Sequence, residues 1–252
     1  MISFSAEPVF KLGFFFVTNT LLHTLLVDCI LIAFTVYISK RILLVPGAIQ
    51  NTVETLIESF YNLTESVAQK RAEQIFPYFM SFFLFILVAN WTGLLPGIGT
   101  VGFFHHEEGK KALIPLFRSP TSDINVTFAL ALISAVATHM LSIKIIGIKE
   151  YLGRFFSLNP ISLFVGLLEI VSEITKVISL SFRLFGNIYA GEIVLLTVSN
   201  IFAFLVPLPF LLLEVIVGLV QALVFSMLTM AFMAILTTPH HEEKYAKEVS
   251  ST

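Results

Sequence analysis

Eight charged and amide side chains interrupt the two longest apolar stretches of this sequence. Glu169, Glu173, Lys176, Arg183, Asn187 and Glu192 fall within 161–199, and Glu214 and Gln221 within 208–237. A charge at mid-membrane costs at least ~2.5 kcal/mol on insertion scales, so such groups face a partner, a cavity or an ion path. At ~100° per residue, Glu169, Glu173, Lys176, Arg183 and Asn187 occupy a sector of roughly 80°, with Glu192 about 140° from Glu169. Glu214 and Gln221 share a face of the next helix, with Gly218 beside them. Paired as an antiparallel hairpin turning near residue 202, the two helices set Arg183 level with Gln221 and Glu192 level with Glu214. The carboxylate level then lies about 10 to 14 Å from the arginine, at ~1.5 Å per residue. Carboxylates relay protons, and two close ones titrate as a coupled pair. Arginine stays charged. A fixed cation between two sets of relays blocks a direct leak and attracts a carboxylate on a moving partner. The chemistry this pattern offers is proton conduction. A second reading stands beside it: Glu169, Glu173 and Lys176 also fit an interfacial ion-pair ladder, and Asn187 and Gln221 fit interhelical hydrogen bonding.

The elements that would carry these groups read as membrane helices. The 252 residues are 56% hydrophobic and 13% charged, about half the charged fraction of a soluble domain, and the mean hydropathy is +0.90. The pattern predicts an all-α polytopic membrane protein, one membrane domain over 1–252. Spans are expected at about 13–38, 76–95, 124–148, 161–199 and 208–237. Over 50–69, Val53, Leu56, Ile57, Phe60, Leu63 and Val67 recur at helical spacing among Glu54, Glu58 and Glu65, which predicts an amphipathic interfacial helix. The last two segments, at ~1.5 Å per residue, are about 45 to 58 Å long against a hydrocarbon core of about 30 Å, so they must tilt strongly.

Lys40, Arg41, Lys70, Arg71, Lys144, Lys149, Arg154, Lys244 and Lys247 would share one side; Lys11, Lys110, Lys111 and Arg118 would lie on the other. The larger set marks the cytoplasm and puts the C-terminus there. The first apolar run has neither a basic leader nor a small-residue cleavage site, so it is expected to remain. The net charge of −2 gives no basic surface for nucleic acid, and lone Cys29 forms no intramolecular disulfide. His105-His106-Glu107-Glu108 and His240-His241-Glu242-Glu243 lack the spacing of a helical metal pair and read as loop and tail. No metal site and no cofactor are expected. Asn62-Leu63-Thr64 and Asn125-Val126-Thr127 fit the glycosylation pattern but fall at the cytoplasmic side and at a span mouth. His23 and Asp28, five apart, share no face and receive no role. A stand-alone secondary transporter would show matching halves. An intramembrane metalloenzyme would show ligands clustered within spans. Neither pattern is visible.

The run Ser179-Leu180-Ser181-Phe182-Arg183-Leu184-Phe185-Gly186-Asn187-Ile188-Tyr189-Ala190-Gly191-Glu192 resembles the signature of the a subunit of F-type ATP synthases. Pro120-Thr121-Ser122-Asp123-Ile124-Asn125-Val126-Thr127 resembles that family too. So do Asn90 with Trp91 and Gly93, and Pro46-Gly47 with Gln50 and Glu54. The resemblance implies that Arg183 is the essential arginine. It implies an outer half-channel along Asn187, Glu192, Glu214 and Gln221, with Asp123 near its entrance, and an inner one past Glu169 and Glu173. It also implies a rotating c-subunit ring, a peripheral-stalk b subunit and a bacterial plasma membrane. Protons are the implied ion. Sodium-coupled members exist, and the ring mostly sets that choice.

Overall fold

The computed structural model describes residues 8–12, 15–95, 102–107, 110–155, 160–201 and 206–238. Seven helices make up nearly all of it: α1 (Asn19–Ser39), α2 (Ala48–Ala68), α3 (Ala72–Gly93), α4 (Ile124–Ile146), α5 (Ile148–Phe155), α6 (Pro160–Ile201) and α7 (Pro207–Leu236). The chain is an all-α polytopic membrane protein. Among the described residues α1, the α2–α3 unit, α4 and α7 are long and apolar enough to cross a membrane. The 42-residue α6 is the longest helix and carries the polar stripe. At ~1.5 Å per residue it is about 63 Å long, twice a hydrocarbon core, and can stay in a bilayer only by tilting or overshooting.

Two short antiparallel hairpins flank the helices: β1 (Pro8–Leu12) with β2 (Phe15–Thr18), and β3 (Gly102–Glu107) with β4 (Lys110–Pro115). The first corrects the expected start of span one. The helix begins at Asn19 rather than near Gly13, because 15–18 is extended and Thr18, itself extended, caps it by accepting from Leu21 N at 3.3 Å. The second turns part of the expected polar loop into paired strands. His105, His106 and Glu107 lie on β3; Glu108 and the His240–Glu243 run lie outside the described residues.

Local chemistry sets the helix ends around the site. A single 3-10 turn, Pro120–Ser122, delivers Asp123 as the N-cap of α4, where its Oδ1 accepts from Asn125 N at 3.0 Å. Gly147 ends α4 at φ 84, a left-handed conformation that glycine adopts without strain, and turns the chain into α5. Gln69, at φ 47, makes the break between α2 and α3.

The core gathers around α3, α6 and α7. Phe82 and Ile86 of α3, Ala131 of α4, Leu184 and Ile188 of α6, and Ala222 and Phe225 of α7 are buried together. Lipid is as apolar as leucine, so association within a bilayer comes from close packing and interhelical hydrogen bonds. Both are present. Ala131 and Ala222 are fully buried small residues. Ser134 and Thr229 pair at 2.9 Å, and Ser142 Oγ donates to the Leu236 carbonyl at 2.6 Å. Amphipathic α2 lays Phe60 against Phe83 at 4.8 Å between ring centres, while Glu54, Glu58 and Glu65 stay exposed.

Candidate functional site

One end of the bundle is tied together by a polar network. Asn90 near the end of α3 is buried. Its Nδ2 donates to the Gly218 carbonyl of α7 at 3.0 Å, and its Oδ1 accepts from Thr121 Oγ1 at 2.7 Å. A Cβ on Gly218 would sit 3.1 Å from that of Asn90, so glycine is what lets α3 and α7 approach here. Trp91 Nε1 adds a bond to the Val215 carbonyl at 3.2 Å. Gly93 plays the same part against the loop: a Cβ there would lie 2.6 Å from Ser119 Cβ. Asn90→Leu should lower the unfolding free energy of the purified chain by about 2 kcal/mol, since it removes two buried interhelical hydrogen bonds. Thermal denaturation in detergent would measure the drop, and an unchanged transition would remove Asn90 from this role.

The two carboxylates of the hairpin lie beside this network. Glu214 is 4% exposed, and Glu192 on α6 is close enough to interact with it electrostatically. A Cβ on Gly191 would fall 2.8 Å from Glu214 Oε1, so the carboxyl of α7 rests on bare α6 backbone. The Oε2 atoms of both carboxylates are buried and make no protein hydrogen bond. Glu192 also feels the charge of the Arg118 guanidinium and lies within hydrogen-bonding reach of the Ser122 hydroxyl. Asp123, 2% exposed, is committed to structure: besides capping α4 it accepts from Thr20 Oγ1 of α1 at 3.1 Å.

Deeper along the hairpin, Asn187 Nδ2 donates to Gln221 Oε1 at 2.7 Å, and Gln221 is itself buried. The hairpin levels expected from spacing put Gln221 opposite Arg183; Gln221 instead bonds Asn187, one helical turn farther along α6. Arg183 points away from the bundle. It is exposed and reaches only Ser179 Oγ, at 3.5 Å, and no carboxylate among the described residues lies within ion-pair distance. Ile178 and Phe182 on the same stretch of α6 are exposed as well.

The other end holds a second acidic group. Lys176 Nζ meets Glu173 Oε1 at 2.7 Å and lies 4.6 Å over the Phe232 ring. His139 of α4 places Nε2 at 3.8 Å from Glu173 Oε2, and its Nδ1 is 3.0 Å from the Tyr151 hydroxyl of α5. Glu169, partly buried, stands one turn earlier on α6. A groove of about 440 Å³ runs along α6 from this cluster to Arg183, with Ser172, Thr175, Lys176 and Ser179 on its wall.

The polar stripe inferred from periodicity is thus divided among three tasks. Glu173 and Lys176 pair with each other, Asn187 joins α7, and Arg183 faces out. Three participants receive no site role from the sequence. Arg118 reads as a loop charge but is buried, at 7% exposure. His23 is wholly buried, with Nε2 2.9 Å from Thr92 Oγ1. His139 sits at the acidic end of α4 with no periodic signal to mark it. Only the tertiary contacts of these residues distinguish them.

The family model described as ATP synthase A chain matches residues 21–234. The chain is 34% identical to the ATP synthase subunit a of Geotalea daltonii over 217 residues, covering 85% of each chain. It is 32% identical to that of Citrifermentans bemidjiense, covering 92% of this chain and 93% of the relative. It is 29% identical to that of Moorella thermoacetica, covering 90% and 94%.

Proposed function

The chain belongs to the ATP synthase A chain family, and we propose that it is the non-catalytic, proton-conducting stator subunit of a rotary ATP synthase. In this reading it stands against a c-subunit ring, is held by the peripheral-stalk b subunit, and occupies a bacterial plasma membrane with its C-terminus in the cytoplasm. The bacterial relatives and the Lys and Arg bias of the loops support that placement.

The observation that carries the reading is the exposed guanidinium of Arg183 on a long membrane helix. Left facing lipid, it costs at least ~2.5 kcal/mol. A carboxylate on an adjacent moving subunit removes that cost. Arg183 also stands between two acidic groups, about 14 Å from the level of Glu192 and about 15 Å from that of Glu173 at ~1.5 Å per residue. A proton arriving from outside passes the Asp123 end to Glu192 and Glu214. It then neutralises a ring carboxylate near Asn187 and Gln221. Neutral, that carboxyl can enter lipid and ride round with the ring. On the far side it releases the proton along the groove past Glu173 and Glu169, and the ionised carboxylate is drawn to Arg183. Arginine holds its own proton throughout, so the two half-channels stay separate. The ring's own ligands decide between proton and sodium.

Partner dependence tests this reading against a stand-alone transporter. Proteoliposomes holding this chain alone should show no proton flow above lipid background under an imposed potential. Addition of the ring and the b subunit should produce flow. Conduction by the chain alone, at the rate of the full membrane sector, would overturn the proposal.

A further inference from the structure

We propose that Arg118 is a positioning residue for the outer relay, a second fixed cation that holds Glu192 in place through Ser122. The inference rests on the proton-conducting function above and assigns a task to a residue outside the α6–α7 hairpin.

Three observations support it. First, Arg118 lies in a loop, yet its side chain is buried, and burying a guanidinium without a counter-charge costs several kcal/mol. Second, the guanidinium is aimed. Nε donates to Ser122 Oγ at 3.2 Å and Nη2 to the Ser122 carbonyl at 3.4 Å, a two-point hold on that residue. The Ser122 hydroxyl in turn lies within reach of Glu192 and of the Ser119 carbonyl, 2.9 Å away. Third, the segment that presents Arg118 is clamped on both sides. Ser119 fits against Gly93, Thr121 is bonded to Asn90, and Asp123 is bonded to Thr20. The charge of this held guanidinium is felt by the Glu192 carboxylate. The groups facing Glu192 are then Arg118 and Ser122 from the loop and Glu214 from α7. Attraction to Arg118 and repulsion from Glu214 together would hold the Glu192 carboxylate toward the loop.

The test uses the whole ATP synthase in membrane vesicles stripped of the catalytic head. Passive proton flow is measured per assembled complex, with assembly scored by immunoblot. Arg118→Met should lower flow about tenfold, the loss typical of removing a group that orients a working ligand. Arg118→Lys keeps the charge but loses the two-point hold on Ser122, and should recover flow to within about threefold of the parent. Ser122→Ala should lower flow about threefold, because it removes the mediating hydroxyl and little else. Parental flow in Arg118→Met overturns the inference. So does Arg118→Lys no better than Arg118→Met, which would make the arginine a structural fork. If Arg118→Met does not assemble, parental flow in Ser122→Ala overturns it instead. A parent complex that conducts no protons would sink the function itself rather than this assignment.

Discussion

An Arg183→Ala complex is expected to lose ATP-driven proton pumping in inverted vesicles, while passive proton flow through head-stripped membranes persists or rises. The two halves of that result have different causes. In the proposed mechanism pumping needs the ring carboxylate to be drawn to the stator in its ionised form. Two unit charges 4 Å apart interact by about 4 kcal/mol at an effective dielectric of 20, close to three decades in an equilibrium constant. Without that attraction the ring has no preferred stop, and rotation no longer tracks proton transfer. In the proposed mechanism passive flow depends instead on the relays, Glu192 and Glu214 at one end and Glu173 at the other, which the substitution leaves intact. Removing the cation between them removes the barrier.

The substitution should be well tolerated by the fold. Arg183 is exposed and makes one long contact, 3.5 Å to Ser179 on its own helix, and alanine is the better helix former. Loss of pumping therefore cannot be put down to failed assembly if the complex is recovered at parental yield. A recovered complex that pumps like the parent would make Arg183 a structural residue, and the half-channel assignment built around it would fall.

Helix identity and the residues of the α6 stripe are legible in the sequence because both follow from local periodicity in a very apolar background. Arg183, Glu192 and Glu214 stand out for the same reason: in a bilayer each charged residue is an energetic anomaly that a one-dimensional reading detects. What periodicity does not carry is the level at which two helices meet. Spacing aligns Arg183 with Gln221, whereas the structure bonds Gln221 to Asn187. The register is set by glycines, Gly191 under Glu214 and Gly218 under Asn90, whose effect exists only between helices. The strand Phe15–Thr18 escapes notice because its apolar residues stand just before those of α1, with only Thr18, Asn19 and Thr20 between them. Arg118 escapes because a charged residue in a polar loop is unremarkable until the loop folds inward. His23 and His139 are similar: their partners, Thr92 and Glu173, are far away in the chain.

Gly191→Val should reduce both pumping and passive proton flow, about ten- to hundredfold, the range expected when a reacting group is displaced by about 1 Å. The expected effect is steric and local. Even the first carbon of a side chain at 191 would lie 2.8 Å from Glu214 Oε1, 3.0 Å from its Cδ and 3.4 Å from its Cγ. Valine adds two methyl groups to that contact. Glu214 is 4% exposed and has little room to retreat, so its carboxyl must leave the position it shares with Glu192. The helix itself should not suffer, since Gly191 lies inside α6 and glycine is a poorer helix former than valine. Gly153→Ala in α5, where an added carbon meets nothing within 4 Å, is the matched control and should pump like the parent. The comparison with Arg183→Ala is what gives the experiment its force. In the proposed mechanism, loss of the cation uncouples flow from rotation and leaves the path open, whereas loss of the glycine closes the path itself. Both variants would be measured in the same vesicles. If Gly191→Val conducts passively at the parental rate, Glu214 tolerates displacement, and the outer path does not depend on its contact with α6.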